Sequence, residues 1–359
     1  MSGVPVNSDG NWQESKPFVN VGGSWKEVEG GFALSQGKWT QFYQNVQPTF
    51  IAILGNGKSA ISADGLQWKY GESLGDAFFS NTFFLGGKVF AYAYGPEIVE
   101  SKDGLSWNKV DVPSNVGQLQ VYSPGMDVAI FVDKDASTHK YTSIHVFNGE
   151  NFLELPNAPT VHDLNDGIAL PNGDLLILGQ KTTYVTRYDT ANKTLYASQP
   201  FPETLSSLFR KPFPYWDVKL NRACALQYYS PGLGQRPVTA IAESNGDPFA
   251  SNSWSRLADC SDSFSDIQSA ANIGDRSVIA GNNSFVLSGN ANSFEKVDFT
   301  PETGYVNNSS KVAASPDRAI WLSDKGKYMH STDGKNWNLS TALESDKPRV
   351  SSLSFGFLG

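Results

Sequence analysis

Residue patterns that could support chemistry are sparse in this chain, and their spacing argues against most of it. Leu54-Gly-Asn-Gly-Lys-Ser59 contains the Gly-Lys-Ser of a phosphate loop. That loop needs a glycine where Ala52 stands, and then a helix whose first amides face the phosphate. The next residues, Ala60-Ile-Ser-Ala-Asp-Gly65, read instead as a strand and a turn, so an ordinary strand turn is expected. Asp133-Lys-Asp135 opens like a calcium loop, but Thr138 occupies the glycine position and Ile144 the glutamate position. His139, His145, His162 and His330 lack ligand spacing, and Asp259, Asp262 and Asp266 read as solvated carboxylates. No Ser-His-Asp or Cys-His grouping can be assembled. The expectation is a protein with no catalytic residues, no cofactor and no metal.

One pattern does recur. Ser62-Ala-Asp-Gly-Leu-Gln-Trp68, Ser101-Lys-Asp-Gly-Leu-Ser-Trp107 and Ser331-Thr-Asp-Gly-Lys-Asn-Trp337 share Ser-x-Asp-Gly-x-x-Trp, each after a short β-like run. Glycine accepts positive φ, the aspartate carboxylate can bond amides just beyond it, and the serine hydroxyl can add a local bond. The indole then opens a returning strand with a large apolar face. Ser62, Asp64, Gly65, Trp68, Ser101, Asp103, Gly104, Trp107, Ser331, Asp333, Gly334 and Trp337 are therefore expected to build hairpin corners.

Weaker copies complete a series. Phe147-Asn-Gly-Glu-Asn-Phe152, Tyr188 to Tyr196, Asn252-Ser-Trp254 and Leu287 to Phe294 put the returning aromatic at 68, 107, 152, 196, 254, 294 and 337. A period of about 40–45 residues fits propeller blades of four antiparallel strands, and seven positions give seven blades. The first period lacks an innermost strand before Phe50–Leu54, whereas Arg349 to Leu358 alternates like a strand with no hairpin of its own. The C-terminal strand is expected to complete the first blade and so remove an open sheet edge. Burying one aromatic removes about 150–250 Å², worth at most roughly 4–6 kcal/mol before entropy.

Composition agrees with an all-β chain. Aromatics make up 13% of 359 residues, glycine numbers 33, and helical apolar spacing is missing apart from one turn at Ser340 to Glu344. The net charge of −8, without a Lys/Arg cluster, argues against nucleic-acid binding. No apolar run is long enough to span a bilayer. The opening Met1-Ser-Gly-Val-Pro predicts no signal peptide. Cys224 and Cys260 form no disulfide framework, and two buried thiols are favoured over a bridge.

The corner phrase resembles the Asp-box, or BNR repeat, of sialidases and related propellers, in a form one residue shorter between Asp and Gly. In that family the motif residues are structural. Sialidase chemistry would need three arginines on a carboxylate, one in an early Arg-Ile-Pro context, plus a Tyr nucleophile and paired carboxylates. The first arginine here is Arg187 and no Arg-Ile-Pro occurs, which argues against that activity.

Residues 1–47 read as a separate segment ahead of a propeller at 48–359. Phe18 to Gly31 and Phe32 to Asn45 align at a spacing of 14, with Trp25 over Trp39, as two small Gly-turn hairpins ending in Phe42-Tyr43. This pattern resembles the N-terminal repeats of bacteriophage tail and fibre proteins. The resemblance implies a virion protein assembled in the host cytoplasm, with Trp25, Trp39, Phe42 and Tyr43 docking onto other tail or baseplate proteins. The propeller would then meet a host surface glycan or protein, with no membrane insertion. Two alternatives stay open, a purely structural tail or capsid accessory protein and a propeller glycosidase acting on surface polysaccharide. Lys211-Pro-Phe-Pro-Tyr-Trp-Asp217 offers Tyr215 and Trp216 as a ligand platform on a loop; the competing reading packs them in the innermost strand of the fifth blade.

Overall fold

Strand-forming runs separated by Gly- and Asp-rich turns govern the architecture from the first residues. The computed structural model describes residues 6–8, 11–13, 18–21, 24–27, 32–35, 38–41 and 47–358, apart from 76, 94–96, 123–127, 135–140, 156–163, 180–183, 201–212, 230–237, 261–266, 283–284, 291–292, 300–309, 324–326, 341–342 and 344–349. The N-terminal segment contains three antiparallel hairpins: β1 (Val6–Ser8) with β2 (Asn11–Gln13), β3 (Phe18–Val21) with β4 (Ser24–Glu27), and β5 (Phe32–Ser35) with β6 (Lys38–Gln41). The residues between the partners are Asp9-Gly10, Gly22-Gly23 and Gln36-Gly37, dipeptides that favour two-residue hairpin turns. Each returning strand carries tryptophan second: Trp12 opposite Asn7, Trp25 opposite Asn20, Trp39 opposite Leu34. The sequence reading anticipates two of these hairpins; the first uses the same signature in a shorter form. Phe42 and Tyr43 lie outside the described residues.

The remaining strands form seven antiparallel sheets. β7 (Gln47–Leu54), β8 (Lys58–Ser62) and β9 (Lys69–Ser73) belong to the first. The second is β10 (Phe79–Leu85), β11 (Lys88–Ala93), β12 (Glu97–Ser101) and β13 (Asn108–Lys109), and the third β14 (Gln118–Tyr122), β15 (Ala129–Lys134), β16 (Tyr141–Phe147) and β17 (Phe152–Glu154). The fourth is β18 (Leu164–Ala169), β19 (Leu175–Gly179), β20 (Tyr184–Asp189) and β21 (Thr194–Leu195), with β22 (Gln199–Pro200) added to β20. The fifth is β23 (Phe213–Asp217), β24 (Arg222–Tyr229), β25 (Val238–Ser244) and β26 (Trp254–Cys260); the sixth β27 (Ile267–Ile273), β28 (Arg276–Gly281), β29 (Phe285–Asn290) and β30 (Ser293–Asp298). β31 (Ser310–Ala314), β32 (Ala319–Ser323), β33 (Tyr328–Ser331) and β34 (Asn338–Ser340) form the seventh.

The C-terminal strand β35 (Val350–Leu358) returns to the first sheet and pairs along β7, from Val350↔Leu54 to Leu358↔Gln47. It touches β10 on one side and β31 on the other, so the seven blades close into a ring. Hydroxyls of Thr82, Ser352 and Ser354 reinforce that seam at 2.8 and 2.6 Å. The buried side chains fall into seven clusters, one at each blade-to-blade seam. Packing between neighbouring sheets is therefore the core of this protein. Of the helical turn expected at Ser340 to Glu344, Ser340 ends β34 and Thr341, Ala342 and Glu344 lie outside the described residues; the 3₁₀ turn among the described residues is Ser251–Ser253.

Candidate functional site

The repeated phrase builds three corners with the same carboxylate hydrogen-bond pattern. Ser62, Ser101 and Ser331 donate to the Oδ1 of Asp64, Asp103 and Asp333 at 3.0, 2.9 and 3.0 Å. Each Oδ1 accepts two further amides: Leu66 and Gln67, Leu105 and Ser106, Lys335 and Asn336, all at 2.7–2.9 Å. The glycines take φ of 72°, 71° and 70°. Burial pushes the three carboxyls up, but the amide and hydroxyl donors outweigh it and hold all three below the usual carboxylate range.

Each corner also leans on the preceding blade. A Cβ on Gly104 would lie 2.6 Å from Ile61 Cγ2, one on Gly65 2.5 Å from Ile320, and one on Gly334 2.9 Å from Ile273. Ser59 donates to the Gly104 carbonyl at 2.7 Å and accepts from Trp107 Nε1 at 3.1 Å. Ser288 serves the Gly334 carbonyl likewise. At the first corner Tyr328 replaces that serine, donating to Leu66 O at 3.1 Å and meeting Trp68 edge-on, while Arg318 bonds Asp64 O at 2.8 Å. Trp68 Nε1 is buried without a partner among the described residues. These twelve residues are architecture.

The weaker copies behave alike with one correction. Asn148 takes the aspartate role, accepting from Glu150 and Asn151 at 3.0 and 2.8 Å, and Phe152 stacks on Phe147 at 4.4 Å. Trp254 is buried and donates to Pro248 O at 2.8 Å, and Phe294 packs in the seam between the fifth and sixth blades. In the fourth blade Leu195 fills the seam instead; Tyr196 is exposed beneath the Arg187 guanidinium, 5.2 Å away.

Tyr215 and Trp216 do not form an exposed platform. Both lie in β23, the innermost strand of the fifth blade, with Tyr215 buried near Phe294 and Trp216 packed against the fourth blade. Cys224, on the neighbouring strand, is a free buried thiol pushed up to about 12 by burial. The Gly55–Gly57 stretch is the strand turn expected, closed by Gly57 N to Leu54 O at 2.9 Å. Among the described residues no three His, Cys, Asp or Glu side chains gather as a metal site. Trp25 and Trp39 lie in β4 and β6.

The two faces of the ring differ. One carries the corners and the short turns that leave the inner strands, such as Gly86-Gly87 and Gly274-Asp275, and the chain enters there at Gln47 beside Leu358. On the opposite face end β17, β22, β24, β30 and β34, strands that precede long intervals between described elements; most residues of those intervals lie outside the described residues. Close to that face five inner strands carry a one-residue bulge, and the inserted residue is polar each time: Ser80, Gln120, Asn165, Gln268 and Ser351. No signal in the sequence reading marked them. Ser351 also lines a cleft of about 260 Å³ between the first two blades, with Leu54, Asn56, Ser73, Phe78 and Phe79 and the backbone of Gly55, Gly57 and Gly75.

The fold is thus a seven-bladed β-propeller closed by its C-terminal strand. Among solved structures, YCF48 bound to D1 peptide matches with TM-score 0.50 and 15% identity, over 92% of this chain and 100% of that chain. PorZ, a surface component of the type-IX secretion system of Porphyromonas gingivalis, matches with TM-score 0.51 and 12% identity, over 90% of this chain and 51% of that one. A protein of unknown function from Desulfotomaculum acetoxidans matches with TM-score 0.55 and 14% identity, over 86% and 98%. At such identities the likeness concerns the fold. No known family profile and no curated protein matches the sequence.

Proposed function

We propose that the chain is a non-enzymatic component of a phage particle, a tail, fibre or baseplate part. In this reading the hairpin segment docks onto another particle protein and the propeller is displayed for contact with the host surface. The observation that carries the reading is chain polarity. The hairpins precede Gln47, which lies at the corner face, so docking through them leaves the opposite face free. The repeated Gly-turn hairpins with tryptophan in matching register support the phage part, as the three corners support an Asp-box-like repeat. Two-stranded hairpins are marginal alone and gain from a partner surface.

The test compares full chain with residues 47–359. The full chain should co-purify with particles and, added free, block adsorption to host cells. The truncated propeller should block adsorption yet stay out of particles. Incorporation of the truncated form would overturn the docking role. Failure of either form to block adsorption would favour the purely structural alternative, and release of reducing sugar from host polysaccharide would favour the glycosidase.

A further inference from the structure

The cleft between the first and second blades has the make-up of a sugar subsite. Its floor is backbone: Leu74 N bonds Gly57 O at 2.8 Å, and Gly57 and Gly75 approach so closely that a Cβ on Gly57 would sit 3.0 Å from Gly75 O. Gly57 has φ of 77°, so a side chain there is disfavoured sterically and conformationally. Asn56, Ser73 and Ser351 supply an amide and two hydroxyls, and no described lining residue carries a charge; Asp76, between the lining residues Gly75 and Ala77, lies outside the described residues. Phe78 stands at the same cleft 59% exposed, the largest exposure among the described large apolar side chains. An aromatic ring left in water beside neutral hydrogen-bonding groups suits a ligand with one apolar face and a rim of hydroxyls. The volume of about 260 Å³ falls below that of pockets for drug-sized ligands, roughly 300–1,000 Å³, and suits a single ring.

We infer that this cleft binds one neutral pyranose residue of a surface glycan, its C–H face against Phe78 and its hydroxyls toward Asn56, Ser73 and Ser351. The inference rests on the reading that the face opposite the corners meets the host. No described lining residue is a cation, which selects neutral hexoses over sialic or uronic acids, whose carboxylates call for one.

The full chain is tested by saturation-transfer NMR with glucose, galactose, mannose, N-acetylglucosamine and, as an acidic control, glucuronic acid. At least one neutral sugar should receive saturation, glucuronic acid should not, Phe78→Ala should abolish the signal, and Phe78→Trp should retain it. Phe78 is exposed, so Phe78→Ala should leave the melting temperature near that of the parent, which separates lost binding from lost folding. Transfer unchanged in Phe78→Ala, or absent from every neutral sugar, would overturn the subsite. If the parent blocks adsorption while no sugar binds, the display reading stands and the subsite falls. If the sugar binds through Phe78 while the full chain stays out of particles, the subsite stands and the docking reading falls.

Discussion

Trp107 Nε1 donates to Ser59 Oγ at 3.1 Å, and the same hydroxyl donates to the Gly104 carbonyl at 2.7 Å. A residue of the first blade thereby holds both ends of a corner in the second. The indole is half-buried in the same seam, so one contact joins local turn geometry to blade packing. Trp107→Ala should lose about 3 kcal/mol, the low end for aromatic truncation because the ring is only half-buried. Thermal unfolding should show a midpoint several degrees lower. An unchanged midpoint would mean the ring does not bolt the blades together.

Conservative substitution separates area from hydrogen bonding. Trp107→Phe keeps most of the apolar contact but loses the bond to Ser59, a net loss of about 1 kcal/mol. Trp68→Phe removes a buried N–H with no partner among the described residues, so it should be neutral or stabilising. Denaturant midpoints of the two variants would test this, and a larger loss for Trp68→Phe would contradict it.

The corner glycine is fixed twice over. Gly104 has φ of 71°, and an added Cβ would lie 2.6 Å from Ile61 Cγ2. Gly104→Ala should destabilise by about 1–3 kcal/mol through backbone strain and overpacking. An equilibrium urea titration that finds no loss would show that the corner can relax.

Acid should loosen the corners. The carboxyls of Asp64, Asp103 and Asp333 are held below the ordinary value, which is about 3.9. Their contribution is complete above that value and drains away as pH falls through the lowered ones. Replacing all three by asparagine should cost some stability at pH 7 while keeping the turns, because Asn148 fills the same role in the third blade. The gap between parent and variant in melting temperature should narrow from pH 7 to pH 3. A gap of constant width would contradict the linkage.

The Cys224 thiol should be inert. With its titration pushed up to about 12 and its side chain buried, almost no thiolate forms at pH 8. In a Cys260→Ser variant, a disulfide-exchange reagent should label nothing in the native protein and one thiol after unfolding. Native labelling at the unfolded rate would show the fifth-to-sixth seam to be open.

Much of the ring was legible because its signals are local and repeat. The first blade lacked an inner strand and the C-terminus offered an unpaired one, and β35 pairs β7 as that deficit implied. Tyr196 misled because side chains alternate faces along a strand, so one residue separates a seam position from an exposed one, and Leu195 holds the seam. Proline on both sides of Phe213 suggested a loop, yet Pro214 fits β23 because an inner strand is a sheet edge and can spare an amide. The cleft at Phe78 brings together residues 54–57, 73, 75, 77–79 and 351, and only ring closure adds Ser351 to the others.

Under the proposed function the ring is held by its corner face and presents the other outward. Cryo-electron microscopy of intact particles tests it most directly. The predicted result is a seven-lobed ring with the corners of Asp64, Asp103 and Asp333 toward the particle and the cleft at Phe78 facing away. A ring seated on the cleft face, or particles without the ring, would contradict the account.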